Sequence, residues 1–540
     1  MVSASKNTRV LLVSFNSFFD IAIRIFHKLL ENNGYEVKTS ILCYAHEKEI
    51  NNNSEQSVFF KKLIDEFHPH VIGFRVLSSY FNAARQLTQF VKKINSEIFV
   101  IWGGFHTILD PQGCLEAADA ICVGEGEDAF LEILQKIEDK DLFFDIENIW
   151  IKENGKIIRT RLRPLKEDLD SLPPPDFTNN NKYFFVPQAS KKSQPFHYLS
   201  HMFKLSSPLH SRYLYNMIYP ILTSRGCPYT CSFCTNSVLR DFFEKNKSKE
   251  SNSLINYTHI RQRSVENVIK ELITAKKLYR PIKVIFFDDC FGASKQWLKE
   301  FSKEYRSFVR IPFYCHIVEY FISGETARYL KQADCMNVGI GIQSVSERVR
   351  KEIFNRNITD NKILEVNSIL RKNGIETEYH LIINNPYENL AEYKMGFNQL
   401  LCKLKRPFII KTSDLVFYKK SNISEKAIKD NLIKPSDLCT TLGHFIEFTK
   451  DSYLNYQFLM TVHSILGKIY IPNFIIKKLL IYMDNISFKK NFICVVAKFK
   501  YFLLLDYVLR RLVIYFKYLI CEIIKPTNNL NSKPMVSKNE

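Results

Sequence analysis

The sequence predicts an α/β protein in which a doubly wound, Rossmann-like sheet precedes a partial (β/α)6 barrel of the TIM type and a helical C-terminal region. Short apolar segments alternate with amphipathic segments from about residue 9 to 136 and again from about 218 to 417. A proline-containing linker separates the two regions, and glycine almost disappears after Tyr418. Strands that alternate with helices indicate parallel sheets, and long glycine-poor amphipathic segments indicate helices.

The first region contains five predicted strands. They lie at residues 10–14, 36–43, 71–74, 99–102 and 120–123, and helices are predicted at 22–33, 83–95 and 130–137. Ligands of such sheets lie beyond the carboxyl ends of the strands. Polar residues and glycines occur at these ends, and the candidate ligand contacts are therefore Ser14, Asn16, Ser78, Gly103, Gly104, Gly124, Glu125 and Gly126.

The second region contains six predicted strands with intervening helices, which is typical of a partial barrel. The strands lie at residues 219–224, 283–287, 313–319, 336–342, 377–383 and 408–415, and one helix is predicted at 264–278. The resulting domains are a sheet domain (8–145), a linker (146–217), a barrel (218–420), a helical region (421–526) and a disordered tail (527–540). Within the linker we predict a hairpin around Asn154-Gly155 and an irregular loop from about 179 to 208.

The net charge of the 540-residue chain is +19, which by itself suggests binding to nucleic acid. The charge is concentrated, however, because residues 465–526 carry 11 Lys and Arg against 3 Asp and Glu, interspersed with Phe, Tyr, Ile and Leu. This pattern is more typical of a helix at a membrane surface than of a nucleic-acid groove. We therefore expect no nucleic acid as a partner. A peripheral membrane contact and a solvated helical cap stand as the two interpretations of this segment.

The cysteine content predicts a reducing environment. Thirteen cysteines, an odd number, are few for a disulfide scaffold of this length. We expect no signal peptide, because polar residues open the chain, and no spanning helix, because no run of 18 uncharged apolar residues occurs. We expect the protein in the cytoplasm, where thiols stay reduced and are free to bind metal. A peripheral attachment to the inner face of the membrane is a further expectation.

Three of the cysteines form a motif directly after the first barrel strand. Cys227, Cys231 and Cys234 are separated by three and two residues, so one loop can present three thiolates to an iron–sulfur cluster. Three ligands leave one iron of a [4Fe-4S] cluster open to a substrate, and Phe233 is placed to cover the cluster from solvent. The alternatives are structural zinc and free core thiols. Structural zinc prefers four ligands grouped in pairs, and no second cysteine or histidine pair follows nearby.

The motif and its position resemble those of the radical S-adenosylmethionine (SAM) superfamily. The resemblance implies that the open iron binds the amino and carboxylate groups of SAM, and that an electron from the reduced cluster cleaves the sulfonium to a 5′-deoxyadenosyl radical. It also implies that Asp288 and Asp289 lie where the methionine amino group is held, and that Gln343 and Ser344 end a strand that faces the adenosine. Residues 384–389 depart from the glycine-rich sequence that the superfamily has near the adenine.

The N-terminal domain resembles the cobalamin-binding domain of cobalamin-dependent radical enzymes. The resemblance rests on three segments, Gly103–His106, Gly124–Glu127 and Leu169–Pro173, and it implies cobalamin as a cofactor. The D-x-H-x-x-G motif, whose histidine ligates cobalt in methionine-synthase-like domains, is absent. We therefore expect a base-off cobalamin and a loop or corrin-contact role for His106.

Together the resemblances imply an enzyme that cleaves SAM at a [4Fe-4S] cluster and uses cobalamin for C-methylation or for a cyclase or rearrangement step. The alternatives are a radical SAM enzyme without cobalamin and a non-enzymatic iron–sulfur protein at the membrane. A methylthiotransferase, which carries three further N-terminal cysteines, is disfavoured because Cys43 and Cys122 are predicted inside strands. The expected partners are a small-molecule or lipid-like substrate and an electron donor of the flavodoxin or ferredoxin type.

Overall fold

Two sheets, one for each predicted α/β region, organise the protein. The computed structural model describes residues 6–15, 19–42, 54–141, 145–153, 155–185, 218–246 and 260–438. All of them belong to one unit that spans residues 1–453. The predicted residue Asn16, the predicted tail and most of the predicted helical region lie outside the described residues, so their structures stay predictions.

The first sheet has eight strands, with the five predicted strands at its centre. The strands are β1 (Arg9–Ser14), β2 (Glu36–Leu42), β3 (Val71–Arg75), β4 (Phe99–Gly103), β5 (Ala120–Cys122), β6 (Ile149–Glu153), β7 (Lys156–Arg159) and β8 (Lys182–Phe185). Their order across the sheet is β7-β6-β5-β4-β3-β1-β2-β8. β1 to β5 and β8 are parallel, whereas β6 and β7 are antiparallel.

Two segments that the sequence places in a linker are strands of this sheet. The predicted hairpin forms β6 and β7, and β6 pairs with β5. β8 lies in the segment that we predicted as an irregular loop, and it pairs with β2. The prediction for β8 was wrong because its anchor is a buried ion pair, Lys182 Nζ to Asp176 Oδ2 at 2.5 Å, which no hydrophobic pattern reveals.

Helices cover both faces of the first sheet, as expected for a doubly wound fold. They are α1 (Ile21–Asn32), α2 (Glu55–Phe67), α3 (Phe81–Ile94), α4 (His106–Leu109), α5 (Pro111–Leu115) and α6 (Glu127–Glu138). Successive residues of β1 point to opposite faces: Leu11 and Val13 join the core with α2 and α3, whereas Val10 and Leu12 join the core with α1 and α6. The near-continuous apolar sequence of β1 follows from burial on both faces.

The second sheet contains the six predicted parallel strands. They are β9 (Ile218–Ile221), β12 (Lys283–Phe286), β13 (Phe313–His316), β14 (Cys335–Gln343), β15 (Glu376–Ile383) and β16 (Phe408–Asp414), and they are arranged in this order. A separate antiparallel pair joins β10 (Ser224–Arg225) to β11 (Arg261–Gln262). The predicted strand 219–224 therefore ends early, at Ile221, so that Thr223 and Ser224 can bind a carboxylate described below.

Helices alternate with these strands and complete a partial (β/α)6 barrel. They are α7 (Thr235–Lys245), α8 (Val265–Tyr279), α9 (Lys295–Glu304), α10 (Gly324–Gln332), α11 (Asp360–Lys372), α12 (Leu390–Gln399) and α13 (Asn422–Lys429). Phe313 of β13 packs against Phe301 and Tyr305, on and just after α9, with ring centroids 6.1 and 5.2 Å away. Tyr314 and His316 therefore lie on the opposite, inner face of the barrel.

Helix α7 connects the two domains through apolar contacts. Phe242 and Phe243 are buried in the core of the first domain, and the Phe242 ring lies 6.3 Å from that of Trp150 in β6. Because α7 begins directly after Cys234, this packing fixes one end of the cysteine loop against the first domain.

We predict that Phe243→Ala lowers the free energy of unfolding by roughly 3–5 kcal/mol, because it leaves a cavity in a shared core. Denaturant unfolding of the full chain, followed by tryptophan fluorescence, measures the loss. Phe308→Ala, at a side chain that is 53% exposed, is the matched control and should change stability by no more than about 0.5 kcal/mol. Equal losses in the two variants would contradict the packing.

Candidate active site

The cysteine loop runs from the end of β10 to the start of α7. Gly226 opens it with a φ of +106°, a conformation that a residue with a Cβ rarely adopts. Cys234 is the N-cap of α7, and its N–H donates to the carbonyl of Cys231 at 3.1 Å. All three thiols are free. The loop thus brings together the three cysteines that the sequence predicted as ligands.

Two hydrogen bonds and one aromatic contact attach the cysteine loop to the barrel. The Ser232 N–H donates to the Phe354 carbonyl at 3.0 Å, and its hydroxyl donates to the Ile353 carbonyl at 2.6 Å. Phe233 packs edge-on against Phe354, with 4.9 Å between ring centroids. Phe233 is only partly buried, and its role in covering a bound cluster stays a prediction.

The buried thiols of the loop need a metal to ionise. Burial raises the pKa of the Cys227 thiol to about 11 and that of Cys234 to about 12, so a metal is needed to stabilise the thiolates at neutral pH.

A buried arginine that the sequence analysis missed lies against the loop. Arg356 Nη1 donates to Cys231 Sγ at 3.6 Å, and Nη2 donates to Glu319 at 2.9 Å. The guanidinium also lies 4.2 Å from the ring centre of Tyr229, whose hydroxyl donates to Glu319. Arg356 Nε is buried and has no partner in the described part of the chain. No motif marked this residue, although a short π-helical turn (Val349–Ile353) precedes it, and such turns are frequent at functional sites.

Asp288 and Asp289 follow β12 beside the loop, as predicted. Asp288 Oδ1 accepts from Thr223 N at 2.9 Å, Thr223 Oγ1 at 2.7 Å and Ser224 Oγ at 2.5 Å. Its Oδ2 is buried and has no described partner. Burial raises the pKa of Asp288 to about 6, although these hydrogen bonds lower it. Asp289 accepts a hydrogen bond from Asn236 of α7 at 3.0 Å, and burial raises its pKa as well.

Gln343 and Ser344 end β14. Gln343 has a φ of +66°, and a Cβ at Gly341 would lie 2.3 Å from its Nε2, so Gly341 leaves room for this side chain. That Cβ position is also 3.9 Å from Arg356 Nη2, which places Gln343 and Arg356 near one another. The Ser344 hydroxyl donates to Glu388, whose pKa burial raises to about 7. Glu388 belongs to the segment that departs from the superfamily sequence. It accepts the hydrogen bond of the Ser344 hydroxyl, so that donor is already used within the protein.

The inner face of the barrel carries a polar network that the sequence analysis also missed. Glu378 Oε1 accepts from Tyr314 Oη at 2.8 Å, His380 Nε2 at 2.9 Å and Lys411 Nζ at 2.7 Å. Burial alone would raise the pKa of Glu378, but the bonds from His380 and Lys411 lower it to about 2. His316 lies 3.3 Å from Tyr314 Oη, and burial lowers its pKa to about 4, so it is neutral. His380 pairs in register with Gly341, which precedes Gln343 by two residues. The network therefore lies two residues away from Gln343 along the strand.

The candidate contacts of the first domain have protein partners of their own. The Ser14 hydroxyl donates to Asp20, which also binds Arg75 at 3.0 Å. Ser78 Oγ lies 3.1 Å from His106 Nδ1. Burial lowers the pKa of His106 to about 4, and Phe81 covers its ring at 4.7 Å. His106 Nε2 has no described partner, but the residue is only 1% exposed.

The glycines near these residues allow close approaches of the chain. Gly104 has a φ of +100°, and a Cβ there would lie 2.8 Å from the Val76 carbonyl oxygen. Gly103 ends β4 beside Cys122, and a Cβ at Gly124 would lie 2.7 Å from Asn148 Nδ2. Gly126 is the N-cap of α6. Gly124 and Gly126 thus serve the packing of their own domain, and a contact with cobalamin stays a prediction for both.

Two family models match the chain in succession, in the order that the geometry shows. The B12 binding domain model matches residues 8–134, and the Radical SAM superfamily model matches residues 221–395. The chain belongs to the radical SAM proteins with a B12-binding domain. Its cofactors are accordingly a [4Fe-4S] cluster, SAM and cobalamin.

Relatives and solved structures agree with this assignment. The chain is 25% identical over 411 residues to the uncharacterized methyltransferase PH0819 of Pyrococcus horikoshii, covering 74% of this chain and 79% of that protein. It is 24% identical over 362 residues to the anaerobic magnesium-protoporphyrin IX monomethyl ester cyclase of Rubrivivax gelatinosus, covering 64% of this chain and 57% of the cyclase. The fold is similar to the radical SAM methyltransferase TsrM of Kitasatospora setae, with a TM-score of 0.58 at 15% identity, covering 78% of this chain and 76% of TsrM.

One carboxylate joins the B12-binding domain to the radical SAM domain. Glu125 accepts from Arg225 Nη1 at 2.9 Å and from both Nη1 and Nη2 of Arg261 at 2.9 Å. Glu127 accepts from Arg225 Nη2 at 2.6 Å. Burial alone would raise the pKa of Glu125, but the hydrogen bond from Arg261 and the charges of Arg225 and Arg261 lower it to about 2. We call Glu125, Glu127, Arg225 and Arg261 the clasp.

The sequence analysis proposed Glu125 as a cofactor contact, and that contact stays a prediction. In the structure its carboxylate binds two arginines of the other domain. Arg225 directly precedes Gly226 and Cys227, so the clasp holds the entrance of the cysteine loop. The three further cysteines of a methylthiotransferase are not supported either, because Cys122 lies inside β5 and Cys114 inside α5, both buried, and Cys43 is outside the described residues.

We predict that Glu125→Gln destabilises this radical SAM protein on the order of 3–5 kcal/mol, because the buried Arg261 loses its counter-charge and Arg225 keeps only Glu127. Denaturant unfolding of the full chain measures it. Glu132→Gln is the matched control, because Glu132 pairs with Arg163 at 2.7 Å but is 47% exposed, and it should cost no more than about 1 kcal/mol.

The stabilisation by Glu125 should be complete above its ordinary pKa near 4.5 and be lost as the pH falls towards 2. An equal acid sensitivity of wild type and Glu125→Gln would contradict the clasp.

Proposed function

We propose that the protein methylates an unactivated carbon of a small molecule, using the adenosyl radical to activate the carbon and cobalamin to carry the methyl group. The observation that carries this proposal is the cysteine loop, whose three free thiols are held between the B12-binding domain and the barrel. A cyclase reaction is the second candidate, because the chain also resembles the magnesium-protoporphyrin monomethyl ester cyclase over 64% of its length.

The charges of the residues around the loop are complementary to those of the amino and carboxylate groups of SAM. When bound, the reduced cluster supplies the electron that cleaves SAM, and cobalamin supplies the methyl group. We propose that Asp288 Oδ2, which is buried and unpartnered in the described chain, accepts from the amino group of SAM. Arg356, with its unpartnered Nε, would pair with the carboxylate, and Gln343 would face the adenosine. These three residues would orient SAM, and the burial of Asp288 and Arg356 would shield their contacts with it from water.

The polar network of the inner face would orient the substrate. His380 Nε2 donates to Glu378, and in the tautomer that does so Nδ1 is an acceptor. Lys411, partly exposed, presents an ammonium group on the neighbouring strand, directly paired in register with His380. A substrate that carries a hydrogen-bond donor beside an anionic or carbonyl oxygen would satisfy both groups. This arrangement supports a polar small molecule as the substrate.

Two further proposals concern partners and location. The electron would come from a flavodoxin- or ferredoxin-type donor, since SAM cleavage consumes one electron from the cluster. The proposed peripheral membrane contact, on the cytoplasmic side, rests on the basic and aromatic sequence of residues 465–526, which lie outside the described residues. Within the described ranges, no helix is long and apolar enough to cross a membrane.

We predict that Cys227→Ala, Cys231→Ala and Cys234→Ala each abolish the visible absorbance of the cluster and the formation of 5′-deoxyadenosine after anaerobic reconstitution. Cys335→Ala is the matched control, because Cys335 is buried in β14 away from the loop, and it should retain both signals. A variant that lacks all three loop cysteines and still shows a [4Fe-4S] signal would overturn the assignment.

We predict that the cob(II)alamin form is base-off. Its electron paramagnetic resonance spectrum should lack nitrogen splitting from a lower axial ligand, because His106 is buried under Phe81 and bonded to Ser78. His106→Ala should leave the spectrum unchanged. A three-line nitrogen splitting that disappears in His106→Ala would show instead that this histidine ligates cobalt.

A further inference from the structure

A cavity lies away from the cysteine loop. It has a volume of about 500 Å³, which is in the range of small-molecule sites. Three parts of the chain form its walls: the α4–α5 turn around Asp110, the β6–β7 hairpin with Trp150 and Arg159, and the segment after the barrel with Lys419 and Lys420. None of its lining residues belongs to the cysteine loop, to the clasp or to the inner-face network.

The cavity has an excess of positive charge. Lys419 is neutralised by Asp110, with 2.7 Å between Nζ and Oδ2. Within the described ranges Lys420 donates to the Ile108 carbonyl alone, at 3.0 Å, and Arg159 stacks on the Trp150 ring at 5.1 Å. Neither Lys420 nor Arg159 has an acidic partner among the described residues. Burial and the nearby charges of Lys419, Lys245 and Arg159 lower the pKa of Lys420, against the influence of Asp110, which agrees with uncompensated positive charge.

The rest of the wall is apolar except for Gln112. Its apolar residues are Leu109, Pro111, Leu115, Trp150, Ile157, Pro435 and Leu438. An inorganic anion would satisfy the cations but leave this apolar surface in contact with water, whereas a neutral apolar molecule would bury the cations without a partner. A ligand with both an apolar body and an anionic head satisfies both requirements.

We propose that this cavity binds a free amphipathic anion, a molecule with an apolar body and a carboxylate or phosphate head held by Arg159 and Lys420. None of its lining residues is among those proposed to contact SAM or cobalamin, and its occupation does not depend on the reaction proposed above. It adds a second ligand site at the junction of the two domains.

Calorimetric titration of the full-length protein with monomeric decyl phosphate tests the proposal. We expect saturable binding with one site, and no binding of inorganic phosphate or decyl maltoside at the same concentrations. The double variant Arg159→Gln, Lys420→Gln should bind decyl phosphate about tenfold or more weakly, because both counter-charges are lost. Lys156→Gln, on the same hairpin but outside the cavity, should bind like the wild type. Binding of decyl phosphate should also change the tryptophan fluorescence, because Trp150 lines the cavity. Trp150→Phe should remove that change.

Three results would overturn the proposal. They are equal binding of decyl phosphate and decyl maltoside, unchanged affinity in the double variant, and binding to anionic vesicles with none to the monomer. The double variant should retain the cluster absorbance and 5′-deoxyadenosine formation of the wild type. Loss of the cluster in the three cysteine variants, together with intact decyl phosphate binding, would separate this site from the catalytic one.

Discussion

The ion pairs of Glu125 with Arg225 and Arg261 are the constraint on which the arrangement of this protein depends. A carboxylate with two guanidinium partners is stable in a largely buried place only when all three groups are present, because each unpaired charge is costly there. Glu125 comes from the loop between β5 and α6, whereas the arginines come from β10 and β11. The two domains are therefore held together at the point where the cysteine loop begins.

The remaining supports of the loop follow from this junction. Arg225 fixes its entrance to the B12-binding domain, the Ser232 bonds fix its middle to the barrel, and α7 returns its exit to the core of the B12-binding domain. A loop held at three points loses little conformational entropy when it takes up a cluster. The same supports bring the carboxyl ends of the strands of both sheets to the cysteine loop, which is where the cofactors of both domains are expected.

The sequence was sufficient for the features that depend on local patterns. Hydrophobic alternation located the five central strands of the first sheet and the six barrel strands, and spacing identified Cys227, Cys231 and Cys234. Features that depend on distant partners could not be read in this way. β8 depends on the Lys182–Asp176 pair, Arg356 meets Cys231 across 125 residues, and Glu378 gathers donors from three strands. Glu125 was found as a conspicuous acidic residue between glycines, but its partners lie 100 and 136 residues away, so its role in joining the two domains was not predicted.

Spin–spin interaction between the reduced cluster and cob(II)alamin, measured by pulsed electron paramagnetic resonance on the reconstituted full chain, tests the central claim most directly. If the clasp holds the cobalamin-binding edge of the first domain against the cysteine loop, the reduced cluster should accelerate the relaxation of the cob(II)alamin spin, and Glu125→Gln should weaken that effect. Cob(II)alamin that binds the protein but relaxes identically with the cluster reduced or oxidised would contradict the account.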